Sequence, residues 1–297
     1  MTNFIVVAPR YSARSGGIMV LHELCTALNK LGHQAGLVLI TEGSQQDQGF
    51  KFGYSNAAEF LDPVGSHYDF FSGRDAAEVD EFVRNACIIY PDIIKGNPLN
   101  GRNFVTYVLG KPGFPIESQF VLAYSEIYIE KSDYVLFKPF VSEWMHARDT
   151  LHWTQRKLNL TYVGKGQEFA ECSTIPGTVL IERDWPKDKR QLAALLRNCK
   201  YFFSWDSISA TNIDAALCGA VPVLMQDAQI PRSEIDQFEL GALPPVSYEA
   251  GMEDAIPSNL AEIDAALANT QHLAHHLLAS WQDRVQGLVH AIQLKLE

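Results

Sequence analysis

The chain shows the same order of local patterns near its start and again in its second half, and this order constrains the fold most strongly. The apolar run Phe4–Ala8 precedes a polar loop with two glycines, a helical pattern over Ile18–Leu31 and a second apolar run over Ala35–Ile40. Continuous β-branched runs are typical of strands buried on both faces, as in parallel sheets. Strands that alternate with helices predict a doubly wound α/β domain.

The rest of the first half gives weaker patterns. Residues 43–75 are polar and irregular, so no element is predicted there. We predict a helix over Asp75–Asn85, a strand over Ala86–Tyr90 that ends at Pro91, and a short helix or strand over Asn103–Leu109.

The second half of the chain restarts the alternation after the segment Val135–Val141, which contains a proline and is predicted to cross between two domains. The predicted strands are Leu158–Val163, Val179–Ile181, Tyr201–Ser204 and Val221–Met225, and the predicted helices are Lys187–Cys199, Ala210–Cys218 and one or two within 259–295. We therefore expect an α/β protein with two Rossmann-like domains that face a cleft. The first comprises residues 1–138 together with a C-terminal helix over 276–297 that packs back on it, and the second comprises residues 139–275.

Composition and charge exclude several classes of protein. With 47% hydrophobic and 20% charged residues among 297, the chain is not of the disordered kind. The formal net charge of -11 disfavours binding to DNA or RNA, because phosphate neutralisation needs clustered cations. No apolar run approaches the ~20 residues of a membrane span. The N-terminus has no basic leader, and the five cysteines are scattered, so we expect a cytoplasmic protein with at most peripheral contact to the inner membrane.

The segment from Ser204 to Val223 has the strongest chemical pattern: a strand, a polar loop, a helix, a glycine and another strand. The free N–H groups and the dipole at the start of such a helix attract a diphosphate. Ser209 and Thr211 can cap this helix and donate hydroxyls to phosphates, and Asp214 lies near its first turns, where a carboxylate can reach a ribose diol. The alternative is a capped helix whose acidic side chains face water.

This segment resembles the donor-binding signature of GT-B-fold nucleotide-sugar glycosyltransferases, in which Glu-x7-Glu precedes Ala-x-x-x-Gly-x-Pro-Val. Asp206 and Asp214 occupy the two acidic positions, and the match continues at Ala215, Gly219, Pro222 and Val223. The resemblance implies that Asp214 binds the ribose hydroxyls and that Asp206 lies near the donor sugar or its pyrophosphate, as a catalytic residue. It also places Asn212, between them, in the donor site. Both acids are one methylene shorter than the glutamates of the retaining members.

Three further stretches, in the same order along the chain, agree with this resemblance. Gly16-Gly17, followed by a leucine-rich helix and Gly32-His33, resembles the opening of the same enzymes. Tyr90-Pro91-Asp92 with Gly96-Asn97-Pro98-Leu99 resembles a stretch of bacterial polysaccharide glycosyltransferases. Tyr162 to Gly166 lies where such enzymes place a strand and loop that contact phosphate. The resemblance implies an acceptor side that includes Gly16, Gly17, Tyr90 and Asn97.

Several cations and one carboxylate complete the predicted site. Lys165 lies between Gly164 and Gly166 after a strand, so it can approach a pyrophosphate closely; the alternative is a solvated turn lysine. Arg183 and Lys189 flank Trp185-Pro186 and supply either a second cation for the pyrophosphate or surface charge. No Asp-x-Asp occurs in a suitable context, so we expect neither an essential metal nor a cofactor.

Asp92 follows a strand end, so its carboxylate can take a proton from an acceptor hydroxyl, or it can simply form a turn after Pro91. Tyr90 and Asn97 can hold the acceptor or the donor sugar. These residues lie in the first predicted domain.

The predicted function is transfer of a hexose or deoxyhexose from a nucleotide-diphosphate sugar to a saccharide or lipid-linked saccharide. The resemblance implies a role in bacterial surface polysaccharide, namely O-antigen, capsule or lipopolysaccharide. One alternative is a non-catalytic saccharide-binding subunit with the same fold. Another is a sugar-nucleotide epimerase, which would need an acid–base set and no acceptor.

Overall fold

The computed structural model describes residues 3–12, 15–43, 49–54, 71, 73–166, 175–225, 230–248, 255–257 and 259–296. The chain divides into two compact units. Unit 1 comprises Met1–Lys138 and Ala279–Glu297, and unit 2 comprises Pro139–Leu278. Most of the irregular region expected over 43–75 lies outside the described residues, as does Cys172, one of the five cysteines.

Unit 1 is built on a seven-stranded sheet in the order β3-β2-β1-β4-β5-β6-β7. Its strands are β1 (Asn3–Pro9), β2 (Gln34–Glu42), β3 (Lys51–Tyr54), β4 (Cys87–Pro91), β5 (Asn103–Val108), β6 (Phe120–Ala123) and β7 (Tyr134–Val135). All neighbouring strands are parallel except β3, which pairs antiparallel with β2 at the edge. The segment expected as a helix or strand is thus β5, and β3, β6 and β7 were not predicted.

The helices α1 and α2 of unit 1 begin at capping side chains. In α1 (Gly16–Lys30), Ser15 Oγ accepts from the Ile18 amide at 3.4 Å. In α2 (Ala76–Asn85), Asp75 and Glu78 form a reciprocal capping box. Such caps satisfy backbone donors that have no partner within the helix.

The C-terminal helix α7 (Trp281–Leu296) is part of unit 1; residues 276–279 of the expected helix belong to α6 instead. Gln282 Nε2 donates to the Ala27 carbonyl at 2.9 Å, and Arg284 Nη1 donates to the Phe137 carbonyl at 2.6 Å. Its apolar face is buried through Val285, Leu288, Val289 and Ile292. Helical spacing of these residues explains why one face is covered.

Unit 2 contains a four-stranded parallel sheet in the order β11-β10-β8-β9 and a two-stranded antiparallel ribbon. The strands are β8 (Leu158–Tyr162), β9 (Val179–Ile181), β10 (Cys199–Ser204), β11 (Val221–Leu224), β12 (Val246–Ser247) and β13 (Ile256–Pro257). The helices are α3 (Lys189–Asn198), α4 (Ala210–Leu217), α5 (Arg232–Ile235) and α6 (Leu260–Ala279). The predicted α/β fold with parallel sheets is confirmed. None of the helices in the described part of the chain is long and apolar enough to cross a membrane.

A buried arginine that the sequence analysis did not single out fixes the position of α4. Arg156 Nη1 donates to the carbonyl of Leu196 in α3 at 3.3 Å and to that of Cys218, the residue that ends α4, at 3.1 Å. It also donates to the Cys199 carbonyl at the start of β10 at 3.1 Å. Because helix C-termini carry unpaired carbonyls and partial negative charge, a guanidinium there holds both helix ends.

Candidate functional site

The helix α4 begins at the carboxyl end of β10, behind a short polar loop. Ser209 is its N-cap, with Oγ accepting from the Thr211 amide at 3.2 Å, so the predicted cap is made by Ser209. Thr211 takes part through its backbone N–H. In the loop, Ser207 Oγ accepts from the Ile230 amide at 2.9 Å, which ties the loop to the chain beyond β11.

The turn Gly164–Gly166, after β8, packs directly on this loop. The Lys165 amide donates to Asp206 Oδ2 at 2.9 Å, and the Trp205 amide donates to the Tyr162 carbonyl at 3.1 Å. Gly164 has φ +55°, and a Cβ there would lie 2.5 Å from Asp206 Oδ2. A Cβ on Gly166 would lie 2.5 Å from the Trp205 carbonyl oxygen. Both glycines are therefore required by the close approach of the two segments.

Three predicted site residues follow three neighbouring strands of unit 2. Arg183 comes after β9, Lys165 after β8 and Asp206 after β10. Because the carboxyl ends of parallel strands meet at one edge of a sheet, these side chains share that edge. Burial raises the pKa of Asp206, while the Lys165 amide and the charges of Lys165 and Arg183 lower it. Both cations thus lie close enough to favour a negative charge at this position.

Both predicted acids are buried, so the alternative in which they face water is wrong. Asp206 is 3% exposed and Asp214 is 2% exposed. Asp214 Oδ2 lies 2.6 Å from Lys189 Nζ, whose side chain is 50% exposed. Burial raises the pKa of Asp214, and the charge and hydrogen bond of Lys189 lower it. The resemblance implies that the Asp214 carboxylate binds ribose hydroxyls. In the structure this carboxylate is already paired with Lys189.

Asn212 supports the loop from inside α4. Its Nδ2 donates to the Asp206 carbonyl at 2.8 Å and to the Ser207 carbonyl at 3.1 Å. The side chain is buried. Asn212 was predicted to lie in the donor site. Because its amide nitrogen donates to backbone carbonyls of the loop, its role there is to position the loop.

In unit 1, Asp92 lies immediately after β4 and bridges to the end of β5. Its Oδ2 accepts from the amides of Leu109 at 3.1 Å and Gly110 at 3.2 Å. Burial raises the pKa of Asp92 to about 6, against the opposing effect of these amides. The structure thus gives Asp92 the turn-forming role that was one alternative, and also a pKa suited to a general base near neutral pH.

The other residues of the predicted acceptor side have different surroundings. Tyr90 is fully buried; its hydroxyl lies 3.0 Å from Asn97 Oδ1 and accepts from the Leu99 amide at 3.0 Å. Asn97 Nδ2 donates to the Gly101 carbonyl at 2.8 Å. The expectation that Tyr90 and Asn97 hold a sugar is therefore corrected: their polar atoms stabilise the turn over 97–101.

Gly16 and Gly17 are the first two residues of α1, so their amides lie at a helix N-terminus. A Cβ on Gly17 would meet Leu109 at 3.5 Å, which is an ordinary contact, so close packing does not demand a glycine there. Over the described residues, no three His, Cys, Asp or Glu side chains come together in a way that could hold a metal ion.

Comparison with known proteins found no matching family model and no matching curated protein. Among solved structures, the chain is similar to an alpha-glucosyltransferase in complex with UDP and a 13-mer DNA, with 10% identity and a TM-score of 0.41, covering 98% of this chain and 96% of that one. It is also similar to the spinosyn rhamnosyltransferase SpnG with thymidine diphosphate (12% identity, TM-score 0.39, 99% and 96% covered). A third is the T4 phage beta-glucosyltransferase (8% identity, TM-score 0.40, 98% and 99% covered).

Proposed function

We propose that this protein is a GT-B-type glycosyltransferase that moves a hexosyl or deoxyhexosyl group from a nucleotide-diphosphate sugar to a saccharide or lipid-linked saccharide. One observation carries the proposal. Lys165, Arg183 and the N-terminus of α4 share the carboxyl edge of the parallel sheet in unit 2. Cations, oriented amides and a helix dipole at such an edge are the groups that bind a diphosphate.

In this proposal the groups of unit 2 bind and stabilise the leaving nucleoside diphosphate. Lys165 and Arg183 offset the charge that develops on it when the glycosidic bond breaks, without a metal ion or cofactor. Asp206 fixes the turn that carries Lys165, since its carboxylate accepts the Lys165 amide hydrogen bond. Asp206 therefore acts on the donor site by positioning a cation.

The acceptor is proposed to bind in unit 1. Asp92, with a pKa of about 6, is mostly ionised at neutral pH and would accept the proton of the attacking hydroxyl. Gly16 and Gly17, at the N-terminus of α1, offer backbone N–H donors to the acceptor. No other residue assigned to the site is close to them in the sequence. We propose a role in bacterial surface polysaccharide on the cytoplasmic face of the inner membrane.

The decisive experiment is a thermal-shift panel with UDP, GDP, CDP, CMP, TDP and ADP, with and without magnesium. A ligand that binds only the folded state raises the melting temperature. At a ligand concentration a hundred times its Kd, it stabilises the folded state by about 2.7 kcal/mol. We expect one nucleoside diphosphate to give a clear shift that does not depend on magnesium. Absence of any shift would contradict the proposal and favour the non-catalytic saccharide-binding alternative.

A matched pair of lysine variants tests the site itself. Lys165 follows β8 at its carboxyl end, and Lys157 precedes the same strand at its opposite end. We expect Lys165→Ala to reduce nucleotide affinity at least tenfold, or about 1.4 kcal/mol, and Lys157→Ala to leave it unchanged. Product analysis with donor alone then separates transfer from epimerisation, because an epimerase needs no acceptor.

A further inference from the structure

A cavity of about 160 Å³ lies in unit 1 between the turn that follows β4 and the segment that follows β5. Ile94, Lys95 and Gly96 line it from the turn, and Phe114 to Glu117 line it from the segment. Thr106, in the middle of β5, reaches it from the sheet. None of these residues belongs to the groups assigned above.

The segment that forms one side of this cavity is held at both ends. The Gly110 amide donates to Asp92 Oδ2 at 3.2 Å, and the Gln119 side chain accepts from the Phe104 amide at 2.7 Å. Between these anchors, Pro112 and Pro115 each restrict the backbone φ angle. The backbone of the segment is therefore preorganised, which lowers the entropy cost of binding a ligand.

One side of the cavity is apolar. Phe114 is half-buried, and Lys95 Nζ lies 4.6 Å from the centroid of its ring. Ile94, which is almost fully buried, adds an aliphatic surface. A ligand ring with C–H groups on one face can pack on this apolar side of the cavity. The Phe114 ring offers such a ligand a large flat area and loses little side-chain freedom on binding it.

The other side is polar, and two of its groups lack partners among the described residues. Thr106 is 3% exposed and lines the cavity, and its hydroxyl makes no hydrogen bond to the described part of the chain. The Glu117 carboxylate, which is exposed, forms no ion pair or hydrogen bond there either. Both groups are therefore available to hydrogen-bond a ligand in the cavity.

The charges around the cavity favour a neutral ligand. Lys95 and Glu117 line it with opposite charges, so their net charge is zero. Together they offer a neutral molecule both hydrogen-bond donors and acceptors. A carboxylate accepts two hydroxyl hydrogens, a threonine hydroxyl donates and accepts, and an ammonium donates. A neutral polyhydroxy ring with one apolar face meets all of these groups.

We propose that this cavity binds one pyranose ring of the saccharide acceptor, with its C–H face on Phe114 and its hydroxyls on Thr106, Lys95 and Glu117. This inference rests on the proposed function, for which it names the acceptor subsite and the residues that select a neutral sugar. Asp92 anchors the start of the segment that carries Phe114, so the subsite is continuous in structure with the proposed base.

Ligand-observed NMR on the full chain, by saturation transfer, tests this proposal with glucose, galactose, mannose, rhamnose and N-acetylglucosamine, and with inorganic phosphate. We expect at least one sugar to bind. Thr106→Val and Glu117→Gln should each weaken that sugar about fivefold or more, as loss of a hydrogen bond predicts. Glu130→Gln, at an exposed glutamate elsewhere in unit 1, is the matched control and should bind as the wild type does.

Three results would overturn the proposal: no sugar binds, the bound sugar is unaffected by both variants, or phosphate binds the cavity in preference to every sugar. Because Thr106→Val removes a hydroxyl without a described partner, the variant is expected to fold, and its melting curve verifies this. The nucleotide panel on the same samples keeps the two proposals apart. A sugar that binds without any nucleotide response refutes the proposed transferase while leaving the subsite in place.

Discussion

Lys189 Nζ lies 2.6 Å from Asp214 Oδ2, and this pair joins the first residue of α3 to the inside of α4. The carboxylate is almost fully buried, while half of the lysine side chain is in contact with solvent. The pair therefore holds a charge inside unit 2 by means of a cation at its surface. Removal of the lysine would leave the carboxylate without its partner, which is costly for a buried charge.

We expect Lys189→Met to lower the free energy of unfolding by about 1–2 kcal/mol at pH 7.5. This is less than the ~3–5 kcal/mol for a fully buried pair, because solvent screens the exposed lysine. The loss should shrink in acid, where Asp214 is protonated and needs no cation. Urea unfolding of Lys189→Met beside Lys187→Met, an exposed lysine two residues earlier, measures this. Equal losses in the two variants would refute the role of the pair.

Asp92 gives a pH-dependent prediction. Its pKa is raised from 3.8 to about 6 in the folded protein, so the folded state binds more protons between these values and its stability falls as the pH rises through them. Asp92→Asn removes this dependence. We expect the stability of Asp92→Asn relative to the wild type to increase by up to ~3 kcal/mol from pH 4 to pH 7.

Chemical denaturation of both proteins at several pH values measures this difference, and other titrating groups cancel because both proteins contain them. A constant difference between the two proteins would show that the Asp92 pKa is not raised. The same residue predicts that transferase activity declines as the pH falls below about 6, since a protonated carboxyl cannot serve as a base.

Substitution of Gly164 separates backbone strain from steric conflict. Gly164 and Gly177 both have positive φ, +55° and +78°, but a Cβ meets Asp206 and Tyr162 at the first and nothing within 4 Å at the second. Each alanine variant is therefore destabilised by ~1 kcal/mol or more, because alanine must adopt a left-handed backbone conformation. Only Gly164→Ala must also displace the loop that contains Asp206. We expect Gly164→Ala to be the less stable by at least ~1 kcal/mol and to lose the nucleotide-induced thermal shift.

If Gly177→Ala lost the nucleotide response to the same extent, the response would not depend on the turn against Asp206. Melting curves with and without the nucleotide, recorded for both variants, decide this. The comparison is matched because both glycines are in turns of unit 2 and differ in what surrounds the added carbon atom.

Arg156 is expected to be among the most sensitive residues of unit 2. Its replacement by Met leaves the carbonyls of Leu196, Cys199 and Cys218 without this donor in a buried region. We expect a loss of about 3 kcal/mol or more in unfolding free energy, since unsatisfied buried groups each cost ~1–3 kcal/mol. Arg148→Met, at an exposed arginine, is the control. A loss below ~1 kcal/mol would mean that water replaces the guanidinium.

The sequence predicted the central strands well because burial on both faces demands an uninterrupted apolar run. The interior of β1 is fully buried between β2 and β4, and the run Phe4–Ala8 shows this directly. In contrast, β3 pairs with a single neighbour at the sheet edge and contains a lysine and a glycine. An edge strand of this kind needs no apolar run, so its sequence contains no signal that periodicity could detect.

The candidate site was only partly predictable for a different reason. The local pattern placed Asp206 in the loop after β10 and Asp214 inside α4, because local spacing decides which residues follow a strand and which belong to the next helix. Their partners come from elsewhere in the chain: Asp214 pairs with Lys189 of another helix, and Asp206 accepts from the Lys165 amide of the turn after β8. The donors of Arg156 likewise serve carbonyls 40 to 62 residues away. Such partners are set by the tertiary fold, which local patterns do not contain.

The position of α7 has a consequence for how the protein is made. Its residues complete unit 1, yet they leave the ribosome after the whole of unit 2. Unit 2 is continuous in the chain, so it can close during synthesis, whereas the surface of α1 that receives Gln282 has to wait until α7 has been made. Of the two units, the one whose synthesis begins earlier is therefore the one completed later.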